Sequence, residues 1–179
     1  MAADRTTACG APPLLDEQVT VATAAQMQHL GGRLAGLLRA GDLVVLSGPL
    51  GAGKTTLAQG IGSGLGIRGR VTSPTFVIAR VHPSISSGPD LVHADAYRLG
   101  SRAEVDDLDL DADLATAVTV VEWGEGLVED LADSFLIVTI EPSSAPAATE
   151  EAAAGPRTVR IQGRGERWQG TDWPALAAG

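Results

Sequence analysis

The stretch "LVVLSGPLGAGKTTLAQ", residues 43–59, decides the architecture. It opens on Leu43-Val-Val-Leu46, an apolar run of the kind found in a parallel strand buried on both faces. It closes on a segment in which Leu57, Ile61 and Leu65 recur at helical spacing. Between them, Gly48 to Thr55 matches G-x-x-x-x-G-K-[ST], the loop that cradles phosphates. Glycines let the backbone bend until successive N–H groups face phosphate oxygens, and the helix N-terminus adds positive potential. With Gly near 7% of residues, the pattern arises by chance in roughly one chain of this length in two hundred. The flanking strand and helix lower that further, so Gly48, Gly51, Ala52, Gly53, Lys54, Thr55 and Thr56 are the candidate nucleotide-binding residues.

Lys54 is the only lysine in a chain with 13 basic residues. A compact ammonium on a slim stem can enter a loop already wrapped around phosphates, whereas a planar guanidinium is bulkier and imposes its own geometry. Lys54 is therefore expected to reach the β- and γ-phosphates, with the Thr55 hydroxyl on Mg²⁺. A single lysine also removes the N/T-K-x-D segment with which guanine-specific relatives of such loops read their base, which favours ATP over GTP.

The 179 residues suit one domain with a sizeable core. Hydrophobic residues make up 44% and aromatics only 3%, so that core must be built from Val, Leu, Ile and Ala. A formal charge of −9 argues against a broad basic face for gripping nucleic acid. Cys9 is the only cysteine, which excludes an intrachain disulfide and a cysteine-based metal site, and a loose N-terminal thiol is its simplest reading. No signal-peptide core and no run of roughly 20 apolar residues is present, so a cytoplasmic location without membrane attachment is the expectation.

Residues 1–15 read as a flexible leader, 16–163 as the globular domain, and 164–179 as a C-terminal tail. A helix is predicted from Thr23, with Met27, Leu30, Leu34, Leu37 and Leu38 on one face and Thr23 with Gln26 as a capping box. Further strands are predicted in "TFVIARV", "LVHADAY", "AVTVVEW", "FLIVTIE" and "RTVRIQG". Residues 101–116 read as an acidic helical or loop segment, and about 143–156 as a mobile, low-complexity insert. Gly60, Gly62 and Gly64 should weaken the second helix by about 1 kcal/mol each relative to Ala. This order argues for an α/β, three-layer sandwich of the P-loop NTPase type, with a mainly parallel central sheet and an antiparallel excursion around residues 75–97.

Phosphoryl transfer also needs an acid for the Mg²⁺ shell and a group that orients the nucleophile. Glu122 closes the strand "AVTVVEW", the position of an acid beside a phosphate loop, with Trp123 next to it. Asp95 in "HADAYR" ends another apolar run, and strand alternation puts His93, Asp95 and Tyr97 on one face. Thr75 in "SPTF" supplies a further hydroxyl on a loop that could close over the γ-phosphate. Lys54, Asp95 and Glu122 are the candidate catalytic residues, and Thr55, Asp95 and Glu122 the candidate metal ligands. Which acid meets the metal directly is left open by sequence.

The order "GPLGAGKTT", "SPTF", "HADAYRL", "EWGE" resembles the TsaE (YjeE) family, small bacterial P-loop ATPases of tRNA threonylcarbamoyladenosine biosynthesis. The likeness runs from about Val19 to Gly163. It implies an ATP- and Mg²⁺-dependent ATPase, weak alone, that joins the TsaD and TsaB proteins and supports their turnover, meeting tRNA only through that complex. It also implies a switch-like role for Thr75, a metal and hydrolysis role for Asp95, and a nucleotide-facing Trp123 beside Glu122. The leader before Asp16, the linker "HPSISSGPD" and the Ala/Glu-rich insert at 145–155 look longer than the family's usual loops.

Two other functions share the phosphate loop: a small-molecule or nucleotide kinase, and a nucleotide-dependent interaction module. Elsewhere, His29 reads as a helix-surface residue and His82 as a solvated loop residue. His93 reads as a structural histidine or a support for Asp95 or Tyr97, and Arg98 as a phosphate contact, a partner contact or a plain salt bridge. The acidic run 104–114 does not match the calcium-loop spacing D-x-[DN]-x-[DN]-G-x₅-E and reads as a solvated face. Trp168 and Trp173 suit a short terminal helix or a partner contact.

Overall fold

A computed structural model describes residues 13, 15–72, 79–99, 101–106, 110–142 and 155–171. Cys9, Thr75, Trp173 and residues 143–154 of the insert lie outside the described residues.

Seven strands form one sheet in the order β1-β7-β6-β2-β5-β4-β3. Its centre is the parallel set β6 (Phe135–Pro142), β2 (Leu43–Ser47), β5 (Ala117–Glu122) and β4 (Asp90–Asp95). The flanking strands run antiparallel: β3 (Ala79–His82) on β4, β7 (Arg157–Arg164) on β6, and β1 (Leu15–Val21) on β7. The expected mainly parallel sheet with antiparallel additions is thus observed. All six residues of β5 are buried, as the unbroken apolar run requires of a strand covered on both faces.

Helices α1 (Ala24–Ala35) and α2 (Lys54–Leu65) cover one face. They enclose a core with Leu46, Leu91, Val118, Val120, Val138 and Ile161. On the other face, short helices α3 (Arg102–Asp106) and α4 (Leu110–Leu114) and the loop after β5 cover Leu43, Val45, Val92, Val121 and Phe135. These are the three layers. Thr23 caps α1 through its hydroxyl, which accepts from Gln26 N–H at 3.2 Å, and Gln26 Oε1 accepts from Ala22 N–H at 2.6 Å.

Gly60 and Gly64 of α2 lie at its contact with α1, whereas Gly62 packs against Ile67 and Val71. A Cβ on Gly60 would stand 2.1 Å from the Gln28 carbonyl oxygen, and one on Gly31 would stand 2.4 Å from that of Leu57. The helix propensity lost at these positions is exchanged for close backbone-to-backbone approach of α1 and α2.

Three features depart from the sequence reading. β1 is an edge strand with only Leu15 and Val21 buried, so it lacks an apolar run and was not expected. His82 is not a solvated loop residue: it ends β3, pairs with Leu91 of β4, and is only 5% exposed. His93 supports neither Asp95 nor Tyr97 by any hydrogen bond; it lies in the middle of β4, fully buried, and bonds Glu122 instead. His29 is exposed, as expected.

Trp168 forms a 3-10 turn, Glu166–Trp168, and packs into the α1/α2 core. Its neighbour Arg167 donates to both oxygens of buried Asp42, at 3.1 and 3.0 Å, and to the Leu37 carbonyl at 2.7 Å. This clamp ties the segment after β7 to the turn that enters β2.

Candidate functional site

β2, β5 and β4 are adjacent and parallel, so their C-terminal ends open on one rim of the sheet, where ligands of open α/β sheets bind. The glycine loop leaves β2 at that rim. Gly48 has φ +136° and a Cβ there would meet the Ile140 carbonyl oxygen at 2.2 Å, so the loop hugs β6 at its first residue. Gly53 caps α2 with φ +110° and no side-chain bond, leaving the first helical N–H groups turned toward the cleft. The cleft has a volume of about 340 Å³ and brings together Lys54, Thr55, Thr56, Asp95, Glu122 and Trp123.

Lys54 Nζ donates to the carbonyl oxygens of Gly48 at 2.7 Å and Pro49 at 3.0 Å. It also stands 3.6 Å from the centroid of the Trp123 ring, a cation–π contact. Burial lowers the Lys54 pKa from its ordinary value, and the Glu122 and Asp95 carboxylates act in the opposite direction. Trp123 has φ +62°, unusual for a bulky residue, and its ring meets Tyr97 at 5.0 Å between centroids. This left-handed turn immediately after Glu122 swings the indole over the loop while Trp123 N–H donates to the Leu46 carbonyl at 2.9 Å.

Thr55 Oγ1 donates to the Glu122 carboxylate, 2.9 Å from Oε1 and 3.1 Å from Oε2. Asp95 pairs with Glu122 in the β4/β5 register, and its Oδ1 accepts from Tyr97 N–H at 2.9 Å. Both acids are buried, at 6% and 3% exposure. Ser47 Oγ hydrogen-bonds Glu125, which closes the loop after Trp123 onto the end of β2. Among the described residues no group of three His, Cys, Asp or Glu side chains could hold a metal alone. A threonine hydroxyl with two carboxylates is nevertheless a hard-oxygen set suited to Mg²⁺, which takes its remaining ligands from phosphate and water. A hydroxyl that donates its proton to a carboxylate also keeps its lone pairs available for a cation.

A second cleft of about 220 Å³ shares Gly51, Gly53 and Thr56 with the first and is lined also by Val21, Thr23, Met27 and Arg157. Arg157 was not a sequence candidate: it stands at the start of β7, more than 100 residues from the loop, with no motif around it. Tyr97 and His93 were noted in sequence, but their contacts with Trp123 and Glu122 depend on strand order.

The family model described as threonylcarbamoyl adenosine biosynthesis protein TsaE matches residues 21–150. The tRNA threonylcarbamoyladenosine biosynthesis protein TsaE of Streptomyces coelicolor is 59% identical over 152 residues, 84% of this chain and 99% of that protein. The protein of the same name from Mycobacterium tuberculosis is 55% identical over 119 residues, 63% of this chain and 71% of that one. The crystal structure of YdiB from Bacillus subtilis superposes with a TM-score of 0.66 at 26% identity, covering 87% of this chain and 90% of that one.

Proposed function

The chain belongs to the TsaE family of threonylcarbamoyl adenosine biosynthesis proteins, and from that premise we propose that it is a Mg²⁺-dependent ATPase. It would serve tRNA threonylcarbamoyladenosine modification beside TsaD and TsaB, supporting their repeated turnover. The observation that carries this reading is the meeting of Lys54, Thr55, Glu122 and Asp95 in one cleft at the mouth of the glycine loop.

In this reading the backbone N–H groups of Gly51 to Thr56 and the Lys54 ammonium bind the β- and γ-phosphates. Phosphate oxygens would replace the Gly48 and Pro49 carbonyls as acceptors for Lys54. Thr55, Glu122 and Asp95 would hold the magnesium, which when bound neutralises charge developing on the phosphate oxygens. Glu122 and Asp95 also supply the carboxylates that can orient an attacking water. The Trp123 indole shields Lys54 from bulk solvent, which strengthens its hold on phosphate. The second cleft, continuous with the first through Gly51, Gly53 and Thr56, supports the reading that the ligand is a whole nucleotide rather than a lone phosphate.

The test is to follow γ-labelled ATP with the chain alone and with TsaD, TsaB and tRNA. Release of free phosphate, stimulated by the partners and abolished in Lys54→Ala, is the expected result. Label transferred to a small-molecule acceptor with no free phosphate would overturn the reading in favour of a kinase. Full tRNA modification by a Glu122→Ala chain that no longer hydrolyses ATP would make it a nucleotide-dependent interaction module.

A further inference from the structure

Asp95 and Glu122 are register partners on parallel neighbours, so His93, two residues before Asp95, shares their face of the sheet. It is 0% exposed, and its Nε2 lies 2.9 Å from Glu122 Oε1. A carboxylate oxygen accepts, so the imidazole Nε2–H donates. The same oxygen receives the Thr55 hydroxyl at 2.9 Å, giving a continuous chain from His93 through Glu122 to Thr55. The other ring nitrogen, Nδ1, is buried with no hydrogen-bond partner among the described residues, so the one polar bond of this core histidine is spent on Glu122.

We propose that His93 is a positioning residue for the phosphate site, holding the Glu122 carboxylate against Thr55 and so fixing the oxygens that would meet a divalent cation. The inference rests on the Mg²⁺–ATP reading above. A glutamate side chain has three rotatable bonds, and ordering it costs conformational entropy. A single bond from Thr55, itself on a loop-proximal helix turn, leaves that order dependent on the loop. His93 anchors the carboxylate to the middle of a central strand instead, so the acid is in place before nucleotide arrives. Outer partners of metal sites act in this way, and their loss costs roughly 10- to 100-fold in metal affinity or activity.

The test uses the full chain and ADP, titrated calorimetrically in EDTA and in Mg²⁺, with thermal unfolding recorded for each variant. The affinity in EDTA reports the glycine loop, and the gain on adding Mg²⁺ reports the acids. His93→Leu is expected to bind ADP in EDTA within about twofold of the parent but to lose roughly tenfold or more of the Mg²⁺ gain. His93→Gln, whose amide N–H can reach the position of Nε2, is expected to recover that gain. His93→Asn, whose amide extends only as far as Nδ1, takes over from His93→Leu if the latter does not fold. An undiminished Mg²⁺ gain in His93→Leu or His93→Asn overturns the proposal alone, as does equal loss in a folded His93→Gln. A parent chain that binds ADP with no Mg²⁺ gain overturns the metal reading, and this inference with it.

Discussion

Replacing Gly48 by alanine tests whether the phosphate loop is built against β6. The residue has φ +136°, a conformation that L side chains adopt only under strain, which costs about 1–3 kcal/mol. The new Cβ would also stand 2.2 Å from the Ile140 oxygen and 3.2 Å from its carbonyl carbon. Ile140 lies inside β6, paired with Val159 of β7, so its carbonyl cannot rotate away without disturbing the sheet. Such an overlap adds about 1–3 kcal/mol. The total, roughly 2–6 kcal/mol, is a large part of the 5–15 kcal/mol typical of a domain. Gly51 is the control: its φ is +76°, but a Cβ there meets nothing within 4 Å, so Gly51→Ala should cost only about 1 kcal/mol. Urea unfolding followed by circular dichroism gives both values from the midpoint and slope. Gly48→Ala should be less stable than Gly51→Ala by at least about 1 kcal/mol, with similar slopes. Equal stabilities would refute the claim that the Ile140 carbonyl fixes the loop.

Lys54→Arg should weaken ADP binding by about tenfold or more with the melting temperature little changed, because the ammonium already fills the space between two carbonyls and an indole. Unchanged affinity by calorimetry would refute the steric account of the lone lysine. Asp42→Ala should cost about 2–4 kcal/mol, since it strands an Arg167 side chain only 18% exposed. A loss below about 1 kcal/mol in chemical denaturation would show that the Arg167–Asp42 clamp is dispensable. For His82, burial, with His93 and Arg80 adding, holds the imidazole pKa below its ordinary 6.5. Below that pH the unfolded chain binds the extra proton, so stability falls as pH drops through and below 6.5. His82→Leu should flatten stability measured between about pH 7 and 5, and an unchanged slope would refute this assignment.

The residues proposed to carry phosphate chemistry were legible because their signals are local. Gly48 to Thr56 lie in one continuous segment, and Glu122 and Asp95 each close an apolar run whose length marks a buried strand. The helix cap at Thr23 was legible for the same reason, being completed within four residues. β1 was not, since an edge strand held by backbone pairing to β7 needs few apolar side chains. The burial of His82 leaves no mark in its own segment, because β3 is set against β4 only by strand pairing in the folded chain. Gly60 and Gly64 read as defects in α2 by sequence, and only the packing of α1 against them shows their use.

Sequence by itself therefore determined the glycine loop, the strand before it, the helix after it, the single lysine and the two acids. Only the tertiary structure decided that Glu122 meets both Thr55 and His93, that Trp123 covers Lys54, and that Arg167 clamps Asp42. Hydrophobic period and turn chemistry act over a few residues and leave their mark in a short window of sequence. Contacts between parallel strands depend on order and register, which are set by crossovers tens of residues long and by how closely two glycine-bearing helices can pack.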